Sequence, residues 1–475
     1  MSLNLYNTFT KKEEEFEPIK KGEVKMYTCG PTVYGRPHIG NYSSFLMADL
    51  LRRWLETGHS LKVTHVKNIT DVGHLVADAE SGEDKIEKQA REEFGEVSHE
   101  NILKVARTYE DQYLKDERDL NMIEAEHRPR ATEFIDQMKV MVDALLNNGQ
   151  AYVTDDGIYF DVEKFERYGQ LSGNSIDKLC AGARVQVNEQ KHCPADFALW
   201  KFCTGKNENH ILRWSSPGEG NPDGFPGWHI ECSAMSKALL GDQIDIHTGG
   251  EDNIFPHHEC EIAQSESVNG SSPFVKMWVH KRRIDMGDKK MSKSLGNVLT
   301  LSDIEEMGFS ALDIRYYFLS VHYRTPLKFA EKGLGDAKKA RRKILEWMKE
   351  VDEAQESTSV SKKSSQSLES FVSAMDSDLN TPEALATVFD AISFSRRENE
   401  LGQYKKFSEL VKNTFGCFEV EQEKSIPEEV LKLVENRKIA RGNKDFEMSD
   451  SLRDKIHALG YEVKDTSEGQ IVVEL

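Results

Sequence analysis

Nowhere in this chain do apolar residues reach the roughly 18 in a row that a membrane-crossing helix needs. Its opening stretch, MSLNLYNTFTKKEEEFEPIKKGE, turns charged before an apolar signal core can form. Cytoplasmic residence without a membrane partner is the expectation. Cysteine is scarce and unevenly placed, with seven in 475 residues, at 29, 180, 193, 203, 232, 260 and 417. An odd number at irregular spacing in so long a chain argues against a disulfide framework and brings catalytic or metal use forward. Positive charge is in deficit, with a formal net charge of −19. That argues against a protein coating nucleic acid by overall basicity, but not against one with a local basic stripe. No internal repeat is visible.

What is present is an ordinary soluble composition, 38% hydrophobic and 30% charged. At roughly 150 residues per domain the length allows about three domains. VKMYTCG (24–30) reads as a buried strand and HIGNYSSFLMADLLRRWLETG (38–58) as a helix with one broad apolar face. SLKVTHVKNITD (60–71) reads as the next strand. Strand, helix, strand in so short a span predicts a βαβ unit and a parallel sheet, hence an α/β fold. Residues 84–150 read as helical, and 157 to about 226 as a shorter-stranded insertion. A helix at 228–241, a strand followed by a Gly-Gly turn, a helix beginning at Pro256 and a strand over 274–284 follow. After 311–329 the chain reads as almost wholly helical. A Ser/Lys-rich linker falls at 357–367, a helical hairpin at 427–460, and one short strand, QIVVEL, ends the chain.

Two short elements suit phosphate. His38-Ile39-Gly40-Asn41 lies where a strand's loop turns into a helix, and backbone N–H groups at a helix start attract anions. Gly40 allows close approach, and His38 can donate to a phosphoryl oxygen as charge develops. KKMSKS (289–294) places Lys290, Ser292 and Lys293 in a Gly-flanked loop able to close over a triphosphate. Alone, each is as well read as a helix cap or a solvated basic turn. In this order HIGN and KMSKS are similar to the two signature motifs of class I aminoacyl-tRNA synthetases. Cys29, Cys232, His257 and Glu261 make a plausible tetrahedral metal set, since His257 and Glu261 stand four apart in a helical segment. Their spread along the chain leaves spacing alone a weak signal, with core thiols and capping histidines the plainer reading.

The strings CGPTVY, HIGN, NITD, GARV, PADFALWK, PGWHIECSAM, FPHHE-E-AQSE, KMSKSLGN and HYRTPLKF run in order from 29 to 329. With the tail GNKDFEMSDSLRDKIHALG they resemble the cysteinyl-tRNA synthetase family over most of the chain. The resemblance implies a Rossmann-like parallel-sheet catalytic domain split by an insertion and followed by an α-helical C-terminal region. It implies boundaries at 1–118 and 227–310 for the catalytic halves, 119–226 for the insertion and 311–335 for stem contact. A tRNA-binding helical bundle at 336–423 and an anticodon-binding domain at 424–475 complete it. It implies L-cysteine, ATP and tRNA(Cys) as partners, magnesium with ATP, and one zinc ion on Cys29, Cys232, His257 and Glu261 that binds the substrate thiolate. Carried over by motif, Gly30, Thr70, Trp228 and His247 line the cysteine pocket. His38, Gly40, Asn41, Gly249, Gly250, Asp252, Lys290, Ser292 and Lys293 hold ATP, with His38 and Lys293 stabilising the transition state. A monomer is expected.

Basic helix 338–350 and the cluster Arg437, Lys438, Arg441 and Lys444 are expected to meet tRNA. Departures from the family pattern are Thr248 before Gly-Gly, the longer stretch 72–88, and Cys260 where Asn is usual, which offers a stray metal contact or an oxidation site. Cys180, Cys193, Cys203 and Cys417 read as structural. Two alternatives stand beside this reading: a ligase of the same fold that transfers cysteine to an amino sugar, and an inactive RNA-binding relative.

Overall fold

An antiparallel hairpin of β1 (Asn4–Asn7) and β2 (Lys12–Glu15) begins the first of two compact units, Met1–Phe418 and Glu419–Leu475. The computed structural model describes residues 2–73, 84–176, 179, 190–270, 272–287, 289, 290, 296, 298–355, 361–419, 427–443, 445–459, 461–466 and 469–474. β3 (Glu23–Thr28), α1 (Ile39–Thr57) and β4 (Lys62–Lys67) form the expected unit, with β3 and β4 parallel. α2 (Lys85–Phe94), α3 (His99–Asp119) and α4 (Ile135–Asn147) follow. Then comes a separate antiparallel sheet of β5 (Ala151–Val153), β6 (Gly157–Phe160), β7 (Phe197–Phe202) and β8 (Gly224–Pro226). The chain returns through α5 (Trp228–Leu240), β9 (Ile244–Gly250), α6 (Glu259–Asn269) and β10 (Val275–Lys281).

The central sheet has the order β10-β9-β3-β4, all parallel. β3 steps outward through α1 to β4, and β9 steps the opposite way through α6 to β10. The two middle strands thus come from either side of the inserted sheet, and their carboxyl ends flank the switch point where such folds bind ligands. The β10 edge is covered: Thr8 N donates to the Trp278 carbonyl at 2.9 Å, and the Asn7 amide donates to the Lys276 carbonyl at 2.9 Å.

Helix α1 starts where it does because His38 is extended and caps it. His38 Nδ1 accepts from Asn41 N at 3.3 Å, and Asn41 Oδ1 accepts from His38 N at 3.1 Å. Phe45, Leu46, Leu50, Leu51, Trp54 and Leu55 bury its apolar face. Asp49, on the same helix, is buried against Arg53 at 2.8 Å and Arg315 at 2.5 Å. Arg315 also donates to the carbonyls of Phe415 (2.7 Å) and Leu120 (2.8 Å), so one buried cation ties α1 to three distant segments.

β11 (Ile284–Met286) pairs with β12 (Lys289–Lys290), followed by α7 (Leu301–Glu306) and α8 (Ala311–Leu319). β13 (Leu327–Phe329) runs parallel to β11. α9 (Glu331–Glu353), α10 (Lys362–Asp376), α11 (Thr381–Arg397) and α12 (Lys405–Phe415) complete the unit. The second unit holds the expected hairpin, α13 (Glu428–Gly442) and α14 (Phe446–Ala458). It then has two antiparallel strands, β14 (Tyr461–Thr466) and β15 (Gly469–Glu474), around Val430, Ile456 and Val463.

Six expectations change. Gly249 and Gly250 lie within β9 rather than in a turn after it, and the linker expected at 357–367 gives way to α10 at Lys362. The chain ends in two strands rather than one, because YEVKDT carries too many charges for its alternation to show as an apolar pattern. The strand over 274–284 breaks at Arg282 and Arg283 into β10 and β11. The helix expected at Pro256 begins at Glu259, after an irregular turn Ile254–His258 in which Phe255 is extended. Trp347, Arg341 and Arg437, expected at a tRNA surface, are buried instead. Trp347 Nε1 donates to Ser395 Oγ at 2.9 Å, and Arg341 pairs with Asp313 at 2.9 Å, so both hold helices together. Arg342, Lys438 and Arg441 stay exposed, and Lys444 lies outside the described residues.

Candidate active site

At the carboxyl ends of β3 and β9 the sheet opens into a cleft of about 350 Å³. Cys29 and Gly30 line it from the end of β3, His38, Gly40 and Asn41 from the start of α1, and Trp228 from α5. Gly250 and Asp252 follow β9 onto its rim, and Lys281 stands at the end of β10. The first turn of α1 borders this space, which brings the positive end of the helix dipole to it. The HIGN turn is also hydrogen-bonded to the residues that follow KMSKSLGN. Ile39 N donates to the Leu299 carbonyl at 2.8 Å, His38 forms a β-bridge with Thr300, and Arg36 donates to Ser302 Oγ at 2.8 Å. The segment just beyond the second phosphate-like element, Leu299 to Ser302, is therefore anchored to the HIGN turn. Lys290 has its backbone in β12, whereas Ser292 and Lys293 lie outside the described residues, as does GARV.

Gly30 and Gly249 are held by packing. A Cβ on Gly30 would sit 1.7 Å from the Asn68 carbonyl oxygen, and one on Gly249 would sit 2.7 Å from His258 Cε1. Gly30 N instead donates to Asn68 Oδ1 at 2.9 Å. Gly249 packs on a histidine, while Gly250 borders the cleft.

Deeper in, ligand atoms of Cys29, Cys232, His257 and Glu261 lie within 4.8 Å of one another. Cys29 Sγ is 4.0 Å from Cys232 Sγ and 3.6 Å from Glu261 Oε1, and His257 Nε2 is 3.1 Å from the same Oε1. A second tetrad shares two members, Cys29, His247, His258 and Glu261, with His258 Nε2 3.2 Å from Cys29 Sγ. Supporting contacts favour the first. Ligating imidazoles and carboxylates are held by partners on their remaining atoms. His257 Nδ1 meets His229 Nδ1 at 2.9 Å, and Glu261 Oε2 accepts from His247 Nε2 at 3.0 Å. In the second tetrad His247 would itself be a ligand and so would not be the group that holds Glu261.

The cluster is electrostatically tight. The hydrogen bond from Cys29 lowers the Cys232 thiol to about 6 against its burial, while burial and the facing Cys232 push Cys29 up. Burial alone would raise Glu261 and lower His257. His247 and His257 hold Glu261 at about 2, and Cys232 with Glu261 raises His257 to about 10. Two sulfurs, an imidazole nitrogen and a carboxylate oxygen thus converge in one buried cluster, a set that can hold a metal ion.

Around it stand the expected pocket residues. Trp228 lies over His257 with ring centroids 4.6 Å apart, and His247 stacks on Trp278 at 4.6 Å. Thr70 Oγ1 accepts from Asn68 Nδ2 at 3.1 Å and donates to Glu231 Oε2 at 3.0 Å. Glu231 is fully buried, and that burial pushes its carboxyl well above the ordinary range. Sequence reasoning missed Asn68, His229, Glu231 and the chain His258–His280–Thr8, whose links are both 2.8 Å. Only the His-His pair and the Asn of NITD offered a signal. Cys260 turns away from the cluster into the core of the inserted sheet, 3.5 Å from Tyr168 Oη, so it makes no metal contact there. Cys193 is disulfide-bonded, Cys203 and Cys417 are free thiols, and Cys180 lies outside the described residues.

A parallel sheet split by an inserted sheet, with the HIGN turn at its switch point, is the architecture of class I aminoacyl-tRNA synthetases. Solved structures share it. Mycobacterium tuberculosis methionyl-tRNA synthetase bound by methionyl-adenylate aligns over 85% of this chain and 90% of its own, with TM-score 0.56 and 13% identity. The Agrobacterium radiobacter LeuRS ternary complex with tRNA and LeuAMS covers 85% and 84%, with TM-score 0.60 and 12% identity. Within that class, residues 15–339 match the model for the tRNA synthetases class I (C) catalytic domain and 370–417 the DALR domain. Residues 423–472 match the cysteinyl-tRNA ligase anticodon binding domain. Cysteine–tRNA ligases of Chlorobium luteolum (39% identical, 99% of this chain and 98% of the relative) and Wolbachia pipientis wMel (38%, 98% and 99%) align end to end. A cysteine–tRNA ligase of Thermus thermophilus does likewise (39%, 99% and 98%). The chain belongs to the cysteinyl-tRNA ligase family.

Proposed function

We propose that this protein activates L-cysteine with ATP, releasing pyrophosphate, and passes the cysteinyl group to the 3′ end of tRNA(Cys). A zinc ion on Cys29, Cys232, His257 and Glu261 selects the thiol in this reading. Its main support is that these four donors converge beside the cleft that carries the HIGN turn. Two sulfurs with one nitrogen and one oxygen suit zinc, which is borderline-soft. Bound there, zinc would supply a Lewis acid that favours a thiol over the hydroxyl of serine, a distinction that pocket shape makes poorly.

The chain's own residues do the remainder. His247 and His229 fix the orientation of Glu261 and His257. Gly30, Thr70 and Trp228 shape the cysteine pocket, and Thr70 is itself held by Glu231. ATP, carried with magnesium, is gripped by His38, Gly40, Asn41, Gly249, Gly250 and Asp252 on one side. Lys290, Ser292 and Lys293 close on the other. A carboxylate oxygen of cysteine attacks the α-phosphorus in line, the bond to pyrophosphate breaks, and no protein nucleophile takes part. Positioning and charge neutralisation carry the rate, with His38 and Lys293 on the transferring group. The terminal ribose hydroxyl of tRNA then attacks the adenylate carbonyl and AMP leaves. We assign 1–118 and 227–310 to the catalytic halves, 119–226 to the insertion and 311–335 to stem contact. Residues 336–423 and 424–475 serve tRNA binding, and the protein acts as a monomer.

The test is cysteine-dependent ATP–pyrophosphate exchange followed by aminoacylation of tRNA(Cys) transcript. Exchange without aminoacylation would point to another acceptor, such as an amino sugar; no exchange by a zinc-loaded sample would overturn the reading.

A further inference from the structure

Three cations in a row, Lys281, Arg282 and Arg283, stand on the cleft where β10 gives way to β11. Two are already matched. Arg282 pairs with Glu251 at 2.8 Å, and Arg283 reaches Glu251 at 3.4 Å and Asp285 at 2.8 Å. Lys281 differs. It is 4% exposed, and among the described residues no carboxylate lies within ion-pair distance of it. Among the described residues its Nζ donates only to the Arg282 carbonyl, at 3.0 Å. Lys281 borders both the cleft and a small apolar hollow formed by Leu46, Met47, Phe318 and Tyr323. In register it sits beside Gly250, and it shares the cleft with Gly40 and Asn41 of the α1 turn.

A buried charge without a partner is costly unless something pairs with it when the protein works. Burial lowers Lys281 to about 8, with Glu251 pulling the other way, so the ammonium form is still held near neutral pH. A backbone carbonyl is a poor match for an ammonium, whereas a polyphosphate entering the cleft brings several oxygens that are good ones.

We propose that Lys281 is a further phosphate-binding residue of the activation reaction, its ammonium contacting the phosphates that leave as pyrophosphate. The inference rests on the ATP-dependent reading above. Lys281 thus supplies from the sheet a positive charge opposite the one supplied by the start of α1. As the bond from the α-phosphorus to the bridging oxygen breaks, negative charge builds on the departing pyrophosphate, and an ammonium fixed there stabilises it.

The experiment compares wild type, Lys281→Met and Lys281→Arg as full-length proteins. Methionine keeps the unbranched apolar stem and removes the charge, and thermal melts check that it folds. Calorimetric titration with magnesium pyrophosphate alone reads the anion site without any reaction. Lys281→Met is expected to weaken binding by about tenfold or more and Lys281→Arg to recover most of it. In cysteine-dependent exchange the KM for ATP and for pyrophosphate should rise together in Lys281→Met while the KM for cysteine is unchanged. Wild-type pyrophosphate affinity in Lys281→Met, or an equal rise in the cysteine KM, overturns the proposal. If wild type shows no cysteine-dependent exchange, it is the proposed function that falls; the titration still decides whether Lys281 binds the anion.

Discussion

His247 and Glu261 meet at 3.0 Å, Nε2 to Oε2, with both side chains wholly buried. The contact leaves Oε1 of Glu261 turned toward Cys29 and His257. A carboxylate held on one oxygen presents the other in a fixed direction, which a metal site requires. His247→Ala is therefore expected to lower zinc affinity about 10- to 100-fold, measured by competition with a chromophoric chelator. An unchanged affinity would mean that His247 serves packing against Trp278 alone.

His38 has two separable duties. As the cap of α1 it accepts from Asn41 N, and as a proposed phosphate ligand it acts in the cleft. Asparagine can cap but cannot replace an imidazole. His38→Asn should keep the melting temperature and lose about 100-fold or more in adenylate formation. His38→Ala should lose the same activity and about 1 kcal/mol of stability as well. Equal activation rates in wild type and His38→Asn would remove His38 from the chemistry.

Asp49 is a buried carboxylate between Arg53 and Arg315, and although burial raises its pKa, the two arginines hold it at about 2 against an ordinary 3.8. A folded-state value below the unfolded one means that its stabilisation is complete above about pH 4 and disappears as pH falls toward about 2. Asp49→Asn strands the buried Arg315 guanidinium and the partly buried one of Arg53, and a loss of about 3–5 kcal/mol is expected at pH 7 in urea unfolding. The gap between wild type and variant should narrow as pH drops below 4. A gap that stayed constant with pH would contradict the pairing.

Gly30→Ala places a methyl carbon 1.7 Å from the Asn68 carbonyl oxygen, a contact that no rotamer relieves. The end of β3 must move, and Cys29 moves with it. Stability is expected to fall by about 1–3 kcal/mol, and zinc content to drop in the protein that remains folded. Full zinc occupancy in folded Gly30→Ala would show that the strand end is more forgiving than its packing implies.

Much of this was legible in the sequence. The apolar face of α1, the alternation of strand and helix on both sides of the insertion, and the motif order sufficed for the fold, and the family resemblance named four residues whose donor atoms the fold brings within 4.8 Å of one another. Residues that act by supporting others were harder to see. His229 and Asn68 carry no spacing signal, because their partners, His257 and Gly30, are distant in sequence and meet only in the folded chain. Basic character misled in the helical region. Arg341, Trp347 and Arg437 look like a nucleic-acid surface in a linear reading, yet each is turned inward, a fate that composition does not distinguish from exposure. Lys281 reads in sequence as one of three equivalent cations, and only folding separates it from the two that Glu251 already neutralises.

The central claim is that one metal, held by Cys29, Cys232, His257 and Glu261, selects the amino acid. Zinc content should be measured on the same samples as ATP–pyrophosphate exchange with each of the twenty amino acids, for wild type and Cys232→Ser. The account predicts about one zinc per chain and exchange with cysteine alone in wild type, with both lost together in Cys232→Ser. Full zinc content in Cys232→Ser, or wild-type exchange driven equally by serine, would contradict it.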